Sequence, residues 1–171
     1  MPKRSVRRMK IRRAEPKDIP TLVELRIALL EEVGNVRRQT DTKGLTGAIR
    51  RYFHSELRAG RYVGFITKAE GQAVACGGLA FYARPPYQGN PSGREAYLMG
   101  MYTAVDWRGK GLGRAMLRKI LAFAKAQRVG RVWLHSEPRA MSLYHRSGFR
   151  PNDSYMELIC YRGKVGEGSR A

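Results

Sequence analysis

Met101-Tyr102-Thr103-Ala104-Val105-Asp106-Trp107-Arg108-Gly109-Lys110-Gly111-Leu112-Gly113-Arg114 is the stretch on which the reading of this chain turns. Its first part belongs to a strand predicted over 95–105. It then passes Asp106-Trp107 into a loop with glycines at 109, 111 and 113 and cations at 108, 110 and 114. A helix is predicted from Gly111 to Arg128, because Leu112, Met116, Ile120 and Phe123 recur at helical spacing while Arg114, Arg118, Lys119, Lys125 and Arg128 face solvent. A glycine-rich loop that opens directly into a helix suits an anion. The first amides of a helix lack intrahelical acceptors, the macrodipole makes that end positive, and glycines let a phosphate approach the backbone. The same three glycines would also serve a tight turn. A nucleotide-hydrolase loop is excluded, since no Gly-Lys-Ser/Thr follows a glycine at the required spacing, and the dinucleotide fingerprint lacks its third glycine.

Upstream, Lys10 to Arg13 reads as a short strand, and Pro16 with Asp18 opens a helix over 19–32 carrying Leu22, Leu25, Leu29 and Val33. A polar loop over 34–44 leads to a helix over 45–58, with Leu45, Ile49, Phe53 and Leu57 on one stripe. Strands over 62–67 and 72–82 form a hairpin about Glu70-Gly71, and the Pro- and Gly-rich stretch 83–93 is a loop that could border a substrate site. Downstream of the long helix, which Gly130 closes, come a strand over 131–135, a helix over 138–147 stopped by Gly148, and a final strand over 155–161. This order predicts an α/β (α+β) fold, one domain with a mixed, mostly antiparallel sheet flanked by helices on both faces. The expected divisions are a basic extension over 1–8, the domain over 9–161 and a flexible tail over 162–171.

At 171 residues, 43% hydrophobic and 27% charged, the chain suits one soluble domain, and no apolar stretch is long enough to span a membrane. The basic N-terminus has no following apolar segment or cleavage site, so the expected location is the cytoplasm. Cys76 and Cys160 match no metal or disulfide spacing and are expected to be buried and reduced. A formal charge of +19 would attract any polyanion, or would reflect dispersed solvated arginines.

Two motifs in order carry a family resemblance. Arg108-Gly109-Lys110-Gly111-Leu112-Gly113 resembles the Gln/Arg-x-x-Gly-x-Gly/Ala signature of the Gcn5-related N-acetyltransferases (GNAT). Further on, Ala140-Met141-Ser142-Leu143-Tyr144-His145-Arg146-Ser147-Gly148-Phe149 is similar to that family's Ala-x-x-Leu-Tyr-x-x-x-Gly-Phe segment. The resemblance extends over about 9–161, and Ser92 to Tyr97, Met101 to Thr103 and Trp133 to His135 look like a bacterial branch of small acetyltransferases of unassigned substrate.

What the resemblance implies is an acetyl-CoA-dependent N-acetyltransferase, with acetyl-CoA as cosubstrate and a primary amine as acceptor. The backbone of Met101, Tyr102 and Thr103 would pair with the pantetheine arm, and the amides of Gly109 to Arg114, with the Arg108 side chain, would hold the pyrophosphate. Tyr144 would be the general acid for the leaving thiolate. Two departures stand out: Glu137 occupies a coenzyme-contacting position where an Asn is common, and Val132 aligns near the Glu that some members use as base. The proton acceptor is therefore sought among Glu95, His135, Glu31, Glu32 and a water chain. His135 has the right chemistry for the role, although a His at a strand end is often structural. Glu31 and Glu32 could attract a cationic amine or be simply solvated.

The expected acceptor is a small-molecule amine such as an amino acid, polyamine or aminoglycoside-like compound, with the N-terminus or a Lys of a protein as the alternative. A homodimer is left open and no membrane partner is expected. Two other classes compete. A nucleic-acid-associated module would draw on the charge and the run Lys3 to Arg13, but there is no recognition helix, aromatic RNA signature or zinc spacing, leaving only weak non-specific binding. A non-catalytic acyl-CoA sensor would account for the missing Glu.

Overall fold

A computed structural model describes residues 9–36 and 42–160. The basic extension over 1–8, the tail over 162–171 and part of the predicted loop over 34–44 lie outside the described residues, as does Tyr161. Five strands, β1 (Ile11–Arg13), β2 (Tyr62–Ala69), β3 (Gln72–Ala83), β4 (Arg94–Thr103) and β5 (Arg131–Trp133), form one sheet in sequence order. All neighbours are antiparallel except β4 and β5, which are parallel. Helices α1 (Ile19–Glu32) and α2 (Lys43–Arg58) cover one face and α3 (Leu112–Ala126) the other, with the short α4 (Met141–His145) beyond β5.

The two faces make two cores. On one, Ile19, Leu22, Val23 and Leu25 of α1 and Phe53 of α2 pack on Tyr62, Ile66 and Cys76. On the other, Leu112, Met116, Leu117, Ile120 and Ala124 of α3 pack on Val63, Phe65, Val74, Leu79, Ala96 and Leu98. Burying each large apolar side chain contributes about 1.5–3 kcal/mol. Gly64 and Gly78 are partners across β2 and β3, and a Cβ on Gly78 would collide with the Tyr62 ring, so these bare positions seat that ring beneath α1 and α2.

Several element ends differ from the sequence expectation, and each has a physical cause. Strand β4 stops at Thr103, because Ala104 to Trp107 turn back through the Trp107 amide bonding to the Ala104 carbonyl. Helix α3 ends at Ala126, two residues before the expected Arg128, which takes φ 54° while the Val129 amide bonds to the Ala124 carbonyl. Gly130 is bare for another reason, since a Cβ there would strike the buried Asn90 side chain. Pro138 to Ala140 make a 3₁₀ turn before α4, and α2 starts two residues earlier than predicted, at Lys43. The predicted final strand is not formed over residues 155–160, where Met156 and Leu158 project into solvent and no strand pairs with them. Cys76 is buried as expected, whereas Cys160 is exposed.

The 84–93 loop is pinned by the Tyr87–Asn90 bridge and by Asn90 Nδ2 donating to the Arg94 carbonyl at 3.1 Å. No helix among the described residues is long and apolar enough to cross a membrane.

Candidate active site

The sheet opens where β4 and β5 part. Their pairing runs through Glu95–Arg131, Ala96–Val132 and Tyr97–Trp133 and then ends, while β4 continues to Thr103. The β5 side of Leu98 to Thr103 therefore has no strand partner among the described residues. On its other side, β4 carries a bulge: Met99 pairs with Gly78 and Tyr102 with Cys76, so Gly100 and Met101 together oppose Gly77. Gly100 has φ 66°, the left-handed geometry such a bulge asks of its first residue. A cleft of about 410 Å³ lies along the open edge, lined by Met101, Tyr102, Thr103, Tyr97, His135, Glu137 and Tyr144, with α1 as its far wall.

At one end of this edge is the glycine loop. Gly109 and Gly111 have φ 69° and 83°, which lets the chain fold back and start α3 at Leu112. The amides over 109–114 make no intramolecular hydrogen bond among the described residues, as expected of a helix start without a side-chain cap. Leu112 contributes only its backbone here, because its side chain is in the core. Gly113 packs between Thr103 and Leu143, which brings the loop against α4, and Arg114 is exposed. Lys110 Nζ donates to the Asp106 carbonyl at 2.6 Å.

Arg108 works differently from a free loop cation. Its Nε donates to the Thr103 carbonyl at 2.8 Å and its Nη2 to Glu32 Oε2 at 2.5 Å. Arg139 Nη1 lies 2.7 Å from the other oxygen of Glu32. The Arg108 hydrogen bond, helped by the charge of Arg139, holds the Glu32 carboxyl below the usual carboxylate range. A carboxylate so held is a poor proton acceptor at neutral pH. Glu31, its neighbour, does not line the cleft.

At the other end are Tyr97, His135 and Tyr144. Tyr97 Oη and His135 Nδ1 are 3.0 Å apart. The Tyr144 ring is buried against the α3 core, and its hydroxyl has no hydrogen-bond partner among the described residues. Burial chiefly, and the Tyr97 hydroxyl secondarily, push the Tyr144 phenol upward, so that it stays protonated as a donor.

Glu95 does not line this cleft, although it shares a neighbouring trough with His135 and Tyr144. It is 1% exposed, accepts hydrogen bonds from Tyr82 at 2.6 Å and Tyr87 at 3.1 Å, and sits 3.6 Å from Arg84. Trp133 Nε1 donates in turn to Tyr82 Oη. Glu95 lines a neighbouring trough of about 1240 Å³ between β5, α3 and α4. Among the sequence candidates the cleft thus gathers Met101, Tyr102, Thr103, Arg108, His135, Glu137 and Tyr144, with the loop amides at its end. Tyr97, which lies in the Ser92 to Tyr97 stretch but has no role assigned from the sequence, also faces it, as do Arg26 and Arg139, which carry no sequence motif.

The family model for the acetyltransferase (GNAT) family matches residues 30–149, which contain the glycine loop, the open edge and Tyr144. The chain belongs to the GNAT acetyltransferase family. Among solved structures, a predicted acetyltransferase from Clostridium acetobutylicum, crystallised with acetyl-CoA, is 30% identical, with 88% of this chain and 96% of that chain covered and a TM-score of 0.80. A GCN5-related N-acetyltransferase from Ralstonia eutropha JMP134 is 23% identical, covering 88% of this chain and 98% of that one at a TM-score of 0.78. Glucosamine-6-phosphate N-acetyltransferase from Arabidopsis thaliana shares the fold at 18% identity and a TM-score of 0.69, over 90% of this chain and 99% of that one. Comparison with curated proteins returns no match.

Proposed function

We propose that this GNAT protein is an acetyl-CoA-dependent N-acetyltransferase that acetylates a primary amine of a small molecule. The observation that carries the reading is the unpaired β4 edge, which runs from Thr103, beside the glycine loop, along a cleft that holds Arg108, Tyr144 and His135. The Clostridium relative, crystallised with acetyl-CoA, supports the choice of donor.

On this reading the amides over 109–114 and the positive end of α3 hold the pyrophosphate. The backbone of Met101 to Thr103 pairs with the pantetheine amides as a strand would, and Glu137 borders the arm from the opposite wall. The thioester then lies near the Tyr97–Trp133 parting. His135, hydrogen-bonded to Tyr97, takes the proton of the incoming ammonium. The neutral nitrogen attacks the thioester carbonyl, an amide of β4 donates to the oxyanion, and the carbon–sulfur bond breaks as Tyr144 gives its proton to the thiolate. The proton still carried by the acylated nitrogen passes through cleft water to the tyrosinate, and His135 releases the proton it took to solvent. Glu95, tied to two tyrosines outside the cleft, serves as a buried hydrogen-bond acceptor beneath Tyr82 and Trp133.

Calorimetry with acetyl-CoA, followed by thiol release over an amine panel, tests the reading. Micromolar binding by the wild type, lost in Gly111→Glu, is expected: that variant puts a carboxylate on a phosphate site and a side chain at φ 83°. A folded wild type that binds no acetyl-CoA would overturn the proposal.

A further inference from the structure

Three arginines face the cleft, and two are occupied. Arg108 is spent on Glu32 and the Thr103 carbonyl, and Arg139 on the other oxygen of Glu32. Arg26, in the middle of α1, is half-buried, lines the same cleft, and has neither a hydrogen bond nor a carboxylate partner among the described residues. Its electrostatic neighbours are Tyr52, Tyr62 and Cys76. None of them supplies a counter-charge, for burial pushes both phenols up and the Cys76 thiol up to about 12. An unpaired, partly desolvated guanidinium is costly to keep, and it presents donors in a fork that fits a carboxylate or phosphate.

Its position separates it from the glycine loop. Glu32, which touches Arg108, is six residues further along α1, so Arg26 lies about 9 Å down the helix axis from that contact. Its neighbours Tyr52 and Cys76 donate to Met99 Sδ and to the Gly100 carbonyl, which places it toward the part of β4 between the loop and the Tyr97–His135 pair. An anion bound there is on the acceptor, not on the coenzyme's pyrophosphate.

We propose that Arg26 is the anchor for an anionic group of the acceptor, so that the substrate is a small amine that also carries a carboxylate or a phosphate. The inference rests on the acetyltransferase reading above. It also disfavours polyamines, because the Glu32 carboxylate is already neutralised by two arginines and cannot greet an extra ammonium group.

The test is a set of matched pairs with acetyl-CoA as donor: amino acids against their amides for the carboxylate arm, and glucosamine 6-phosphate against glucosamine for the phosphate arm. The wild type is expected to favour the anionic member of one arm by about tenfold or more in kcat/KM, the scale of one charge-assisted hydrogen-bonded pair. In Arg26→Gln that preference collapses toward unity, chiefly through KM of the anionic amine, while acetyl-CoA titration by calorimetry stays near the wild-type value. The wild-type preference needs no variant, so a poorly folding Arg26→Gln does not shield the proposal. Equal use of both members in both arms, no turnover of any anionic member by protein that binds acetyl-CoA, or a preference that survives Arg26→Gln would each overturn the Arg26 assignment. Failure of the wild type to bind acetyl-CoA would instead take down the acetyltransferase reading, and this inference with it.

Discussion

Arg108 Nη2 meets Glu32 Oε2 at 2.5 Å, which ties the end of α1 to the glycine loop across 76 residues of chain. With Arg139 on the other carboxylate oxygen, the contact spans the cleft from three elements. Glu32 is thereby a clamp. Glu32→Gln is expected to lower the melting temperature modestly, since the arginines are partly exposed and screened, and to change turnover by only a few-fold. A loss of about 10²-fold or more, the mark of a removed general base, would show that Glu32 carries the proton after all.

Tyr144→Phe separates chemistry from packing. The ring is in the α3 core, but the hydroxyl has no hydrogen-bond partner among the described residues, so removing one oxygen should leave the melting temperature nearly unchanged. Steady-state kinetics should show kcat reduced by roughly 10²- to 10⁴-fold with KM for acetyl-CoA little altered. A parallel fall in stability and activity would mean the tyrosine is structural.

The proton acceptor is addressed by His135→Gln and Tyr97→Phe. Loss of the imidazole should cost kcat by about 10²-fold or more, and loss of the Tyr97 hydroxyl, which only orients it at 3.0 Å, should cost less. Full activity in His135→Gln would move the role to a water chain.

These residues mark the limit of what the sequence makes legible. The glycine loop, the long helix after it, and the hairpin at Glu70-Gly71 are local patterns, and the structure has them close to their expected places. The Tyr97–His135 and Arg108–Glu32 contacts join residues 38 and 76 positions apart, and no local periodicity announces them. Arg26 looks like any other arginine of a chain with +19 charge until the fold sets it in the cleft with no carboxylate beside it among the described residues. Residues 155–160 show the opposite failure: an apolar, β-prone run suggests a strand, yet a strand is made by its partner's edge, and none is paired with it here.

Asp18 supplies a pH test remote from the cleft. Its carboxylate accepts from Arg12 at 2.7 and 2.8 Å and caps the Glu15 amide at 2.9 Å. The Arg12 hydrogen bonds foremost hold its pKa down at about 2. A depressed carboxylate stabilises the folded state above its unfolded pKa of about 3.9, and that stabilisation is lost as pH falls through the folded value. Asp18→Asn should cost roughly 2 kcal/mol at neutral pH, about half of that near pH 3, and denaturant melts of wild type and variant should converge only as the pH falls to about 2 and below. A gap that persists there would assign the loss to packing.

Glu95 gives the last and sharpest contrast with the sequence expectation of a base. Two tyrosine hydroxyls donate to a carboxylate that is 1% exposed, and Tyr82 also receives the Trp133 indole. Burial, then the Glu95 hydrogen bond, push the Tyr82 phenol upward, which keeps it a donor. Glu95→Gln must present an NH₂ where a carboxylate oxygen accepted, leaving one hydroxyl without its acceptor at a cost of about 1–3 kcal/mol. The expected result is a clear drop in melting temperature, with kcat measured well below the melt within a few-fold of wild type. Unchanged stability with kcat reduced by about 10²-fold or more would instead place the Glu95 carboxylate in the reaction.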